Sequence, residues 1–256
     1  MSYPKPPALD RPDTLPGARS LQHLIIAALI TAALYFVPYL SFLTYPIRLL
    51  VTFIHEGSHA LAALVTGGHV ASLIIRPDGS GVTWSAGGVA PFVASAGYLG
   101  ATLFGALLIA ALRRGIAARH LLLLTGTIIG LLTLCFARPT NADAADTLAN
   151  LPLTIGAGVI LSAGLIIAGL RLPERSAVFV ASFIGVQCIL NALFDLNTLF
   201  TLSVNGVTQS DAGNMQNMTL IPAVVWAVLW LGAAAFLLWR VVLVPAYKDA
   251  RNAAIG

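Results

Sequence analysis

The chain has 256 residues, 58% of them hydrophobic and only 9% charged, with a mean hydropathy of +0.87 and a formal net charge of +4. A water-soluble domain carries about 25% charged residues, so the composition excludes a water-facing globule and reads as a polytopic membrane protein. No basic patch is interleaved with aromatics, so nucleic acid is not an expected partner; the positive charge bears on orientation and on the lipid bilayer, anionic lipid above all.

In chain order, residues 1–20 (MSYPKPPALDRPDTLPGARS) are polar and Pro-rich and read as a flexible tail, not as a signal peptide. Residues 21–245 read as one transmembrane domain and residues 246–256 as a C-terminal tail. The hydrocarbon core is roughly 30 Å thick and needs about 20 helical residues. Apolar runs of suitable length lie at 22–43, 46–66, 89–112, 120–137, 152–170, 177–200 and 219–243. They predict an all-α bundle of about six to seven transmembrane helices. Pro38 is expected to kink or end the first run near Val37. The segment from Gly67 to Gly88 differs from every other linker. Its β-rich runs Val70 to Ile75 and Val82 to Trp84 flank the turn signal Pro77-Asp78-Gly79, which predicts a short β-hairpin. Cys135 and Cys188 lie in apolar runs and are expected to be buried, inert thiols. Asp143 and Asp146, in RPTNADAAD, read as a solvated loop. Arg113, Arg114 and Arg119 share one linker, Arg171 and Arg175 another, and Arg240, Lys248 and Arg251 flank the C-terminus. If all later spans cross, these clusters share the cytoplasmic side. With seven crossings the tail bearing Lys5, Arg11 and Arg19 then lies outside, so either one early segment is re-entrant or the charge rule fails at one loop.

The chemistry concentrates in TFIHEGSHALAALVTGG, from Thr52 to Gly68. His55-Glu56-Gly57-Ser58-His59 matches H-E-x-x-H. On a helix, residues four apart share a face, so His55 and His59 can hold one zinc ion while Glu56 takes a proton from the attacking water and passes it to the leaving group. An acidic residue at mid-membrane costs on the order of 2.5–3.5 kcal/mol on insertion scales. It persists where it pairs, binds metal or lines a wet cavity. Two of the five histidines fall in this one motif.

Beyond His59 the Ala-rich continuation stops at Gly67-Gly68. FIHEGSHALAALVTGG, RPDGSGVT, SAGYLG (Ser95 to Gly100), NALFDL (Asn191 to Leu196), SDAGNM (Ser210 to Met215) and LIPAVVWAVLW (Leu220 to Trp230) together resemble the M50B-like branch of the site-2-protease metallopeptidases. The resemblance runs from about Thr52 to Trp230. It implies an intramembrane zinc protease that cuts within or beside transmembrane helices of other membrane proteins, and a multi-pass location such as the plasma membrane of a bacterium.

Catalytic zinc usually has three protein ligands and one open position. Site-2 proteases take the third from the Asp of an L-D-G motif preceded by N-x-x-P; this chain has neither as such. Two aspartates compete. Asp195 is the expected ligand, because it lies deep among apolar neighbours and Asn191 sits one turn earlier, where it can orient the carboxylate or donate to an oxyanion. Asp211 is the alternative, in the polar loop SVNGVTQSDAGNMQNMT, and its place just before a span resembles that of the family's aspartate. The predicted hairpin offers an edge for an unwinding substrate by strand addition. The competing reading is a non-catalytic metal-binding membrane protein, a regulator or transporter. Ionisable groups are almost absent from the other spans, which argues against transport, and Glu56 is retained, which argues against a dead enzyme.

Overall fold

The structure is a computed structural model and describes residues 41–204 and 210–245, with the isolated positions 26, 247, 248 and 251; the side chains of 41–43 and 191–204 are outside it. The apolar run at 22–43, with Pro38, lies outside the described residues but for its end.

Helix α1 (Ser41–Val65) carries the H-E-x-x-H motif and accommodates Pro46 near its start. It ends where Gly67 adopts a left-handed φ of 84°. Gly67 N–H there donates to Leu64 O at 3.1 Å, and Gly68 N–H to Ala63 O at 2.8 Å. A residue with a Cβ is strained in that conformation, so glycine is the natural stop.

Strands β1 (His69–Ile75) and β2 (Gly81–Ala86) follow as an antiparallel pair, with an irregularity between Val70 and Ser72. The hairpin does not leave the bundle. It folds back along α1, its tip anchored by Tyr45 Oη to Pro77 O (3.0 Å), Arg48 Nη2 to Asp78 O (2.7 Å) and Thr52 Oγ1 to Gly79 O (2.7 Å). Its two ends meet again at a glycine neck, where a Cβ on Gly68 would press on Ala86 O and Gly87 C at 2.9 Å each. Strand backbone at membrane depth is tolerated only inside protein, and β1 meets that demand, with Leu73, Ile74 and Ile75 wholly buried.

The remaining helices are α2 (Ala90–Arg113), α3 (Ala118–Phe136), α4 (Ala144–Arg171), α5 (Glu174–Val204), the short α6 (Asp211–Thr219) and α7 (Ala223–Leu237). A 3-10 turn (Asn141–Asp143) leads into α4, and a wider π turn (Leu238–Leu243) extends α7. Among the described residues, four helical stretches are long and apolar enough to cross a membrane: Ala90–Arg113, Ala118–Phe136, Asn141–Arg171 and Ala223–Leu243. Bundle and hairpin agree with the sequence reading. The core joins Phe53 and Ile54 of α1 to Leu73 and Ile75 of β1, Leu122 and Ile129 of α3, and Ile184 and Cys188 of α5. Small residues let α3 and α4 close in, as where Ser162 Oγ donates to Gly126 O at 2.8 Å.

Three expectations change. Cys188 is buried but Cys135 is exposed, beside the 82%-exposed Leu134; an apolar run does not distinguish a core-facing position from a lipid-facing one. Asp146 is not a loop carboxylate. It sits in the first turn of α4, accepts Arg76 Nε and Nη2 at 2.9 Å each, and ties the hairpin to that helix. Asp143 caps the same helix by accepting Asp146 N–H at 3.1 Å. The polar stretch around Asp211 is helical from Asp211 onward.

Candidate metal centre

The 3.6-residue period of α1 stacks His55 and His59 on one face. Their Nε2 atoms stand 3.1 Å apart. Asp211, the first residue of α6, completes a triangle, with Oδ2 at 3.4 Å from His55 Nε2 and 3.2 Å from His59 Nε2. For bonds of about 2.0–2.1 Å, donors on a tetrahedral zinc lie about 3.3 Å apart. The three edges thus match one face of such a tetrahedron and leave a fourth position open. Among the described residues this is the only cluster of three metal-capable side chains.

The tautomer fits as well. His59 Nδ1–H donates to Val93 O at 2.7 Å, so neutral His59 has its lone pair on Nε2, the atom facing His55 and Asp211. Tyr98 closes one side, its ring meeting His55 edge-on at 4.7 Å and stacking on Trp230 at 5.7 Å. Gly97 makes the approach possible, because a Cβ there would overlap Nε2 of both histidines.

Asp211 reaches the site because α6 is fixed at both ends. Ser210 Oγ accepts Gly213 N–H at 3.1 Å as its N-cap, and Gln216 Oε1 accepts Ala223 N–H at 2.8 Å, joining α6 to α7. Ala212 and Met215 bury against Ala94, Ala227 and Trp230.

Glu56 is 5% exposed. Its Oε2 lies 2.8 Å from Thr83 Oγ1 on β2. The bare Cα of Gly81 borders Oε1, where a Cβ would stand 2.9 Å away. Of the residues expected from sequence, the structure thus joins His55, His59 and Asp211, with Glu56 beside His55 in the chain. Asn191 and Asp195 fall on α5, with side chains outside the described residues. Sequence reasoning missed Thr83, Val93 and the close approach of Gly97. SAGYLG offered a signal for Gly97 in its run of small residues, whereas nothing in the pattern of β2 singled out Thr83.

No curated protein and no solved structure gives a significant match to this sequence. The family model described as Peptidase M50B-like matches residues 25–241, a span that contains every residue of the triangle as well as Glu56. The chain therefore belongs to the Peptidase M50B-like family, whose members are of the membrane metallopeptidase kind.

Proposed function

We propose that the protein is an intramembrane zinc endopeptidase that hydrolyses peptide bonds in or near transmembrane segments of other membrane proteins. The observation that carries this reading is the donor triangle of His55, His59 and Asp211, with edges of 3.1–3.4 Å, set beside the buried carboxylate of Glu56. Zinc held there would act as a Lewis acid toward the scissile carbonyl and acidify water. His55, His59 and Asp211 would hold the ion, and Asp211 would offset part of its charge in a low-dielectric setting. Glu56 accepts the proton of the attacking water and returns it to the leaving amine. Asn191 and Asp195 enter no step of this scheme.

A helical substrate buries its own carbonyls, so it must be extended before it is cut. The outer edge of β1 is already occupied: Ile75 N–H donates to Thr154 Oγ1 at 2.9 Å, and Arg138 donates to Val70 O and Ala71 O at 2.7 Å each. Because Ile75 turns its backbone away from β2, its partner Gly81 does the same on the other strand, and Thr83 and Ser85 follow by alternation. In this reading β2 is the strand that holds substrate. Counting α1, α5 and the run at 22–43 with the four apolar stretches gives seven membrane segments; a bacterial plasma membrane is the proposed setting.

The test is zinc analysis of purified protein together with cleavage of a model transmembrane substrate. Glu56→Gln is expected to keep zinc and lose about 10²–10⁴-fold in rate, and His59→Ala to lose both. Undiminished cleavage by Glu56→Gln would sink the assignment. Zinc binding by the wild type without cleavage of any transmembrane substrate would favour the non-catalytic reading.

A further inference from the structure

Glu56 is anchored by a strand and not by its own helix. Thr83 Oγ1 lies 2.8 Å from Glu56 Oε2 and 2.9 Å from Glu56 O. The hydroxyl has one proton, and the carbonyl already lies within the hydrogen-bonded α1. The charge-assisted bond to the carboxylate is the stronger use of that proton. On the same face of β2, two residues earlier, Gly81 leaves room for the carboxylate: a Cβ there would stand 2.7 Å from Glu56 Cγ and 2.9 Å from Oε1. One strand face thus fixes one carboxylate oxygen and makes space for the other. These two residues also turn their backbone to the outer edge of β2.

We infer that Thr83 is a positioning residue which, with Gly81, sets the orientation of Glu56 from the strand that receives the substrate. A polypeptide paired with the backbone of Gly81 and Thr83 is then held in register with the base. The coupling runs through one side chain, since Thr83 offers its backbone to the substrate and its hydroxyl to Glu56. The inference rests on the proposed role of Glu56 as base, and the experiment separates the two.

Steady-state cleavage of a model transmembrane substrate is measured for wild type, Glu56→Gln, Thr83→Val, Thr83→Ser and Gly81→Ala, with zinc content and thermal midpoint in detergent for each. Thr83→Val is expected to keep zinc and substrate affinity but lose about 10–100-fold in kcat, the usual cost of removing a group that orients an active-site ligand. Thr83→Ser keeps the hydroxyl and is expected to restore most of the rate. Gly81→Ala, whose Cβ would press on the Glu56 side chain and on Thr52 Cγ2, is expected to lower kcat with zinc retained. Wild-type activity in Glu56→Gln overturns the reading of Glu56 itself. An inactive Glu56→Gln beside a Thr83→Val of unchanged kcat overturns this inference alone. So do equal losses in Thr83→Val and Thr83→Ser, which would mean that strand packing matters and the hydroxyl does not. If Thr83→Val fails to fold or to hold zinc, the other two variants decide: full activity in Gly81→Ala, or a Thr83→Ser as damaged as Thr83→Val, overturns it.

Discussion

At the scale of single residues, Asp211 is the assignment that separates the competing third ligands. Its Oδ2 lies within 3.4 Å of both imidazole nitrogens, so Asp211→Ala is expected to strip zinc from purified protein, with Asp195→Ala retaining it, as metal analysis after dialysis would show. Zinc lost from Asp195→Ala and kept by Asp211→Ala would move the ligand to α5. His55, Glu56 and His59 were legible in the sequence because a fixed helical period turns spacing into geometry. Asp211 was legible only as the alternative. Apolar neighbours and Asn191 one turn earlier favoured Asp195, whereas a short helix docked through Ala212 and Met215 brings a carboxylate to the site from outside the long spans. Sequence spacing does not encode such a docking.

Among the elements, the hairpin shows how far a local pattern reaches. Alternating β-rich runs around Pro77-Asp78-Gly79 announced two strands, and both are present. That the outer edge of β1 is occupied depends on Thr154 and Arg138, both remote in sequence. Proline at the two strands is therefore expected to act differently. Ile75→Pro deletes the N–H that Thr154 Oγ1 accepts at a wholly buried position; the hydroxyl keeps its donation to Asn150 O, so the cost is that of one hydrogen bond, about 0.5–1.5 kcal/mol. It should lower the thermal midpoint in detergent. Ser85→Pro removes an outward N–H at an exposed position and should raise KM with zinc content and midpoint unchanged. Matching effects of the two prolines on stability and KM would refute the division of labour between the strands.

For the whole molecule, the proposed metal joins elements far apart in sequence, since His55 and His59 lie on α1 and Asp211 on α6. An ion that binds only the folded state stabilises it by about 2.7 kcal/mol at a hundredfold excess over Kd. Thermal melts in detergent are expected to show a zinc-dependent rise for wild type that is absent in Asp211→Ala; identical melts with zinc and with chelator would count against the site. The bundle also brings two of the basic linkers together, because Ala118 N–H donates to Glu174 Oε1 at 2.7 Å. The charge pattern had placed those linkers on one side, and the fold agrees. The neck of the hairpin has a consequence of another kind. Gly67, Gly87 and Gly88 all adopt positive φ, and the chain enters and leaves the strand pair at nearly the same point. The chain thus passes from α1 into the strand pair and on to α2 through one narrow point, while the hairpin itself stays fastened to α1 and α4. In engineering terms the exchangeable part is small: Ser85 and Ala86, the exposed end of β2, can be altered to change which polypeptide is gripped, while β1 is core, Arg76 holds Asp146, and Gly81 and Thr83 face Glu56.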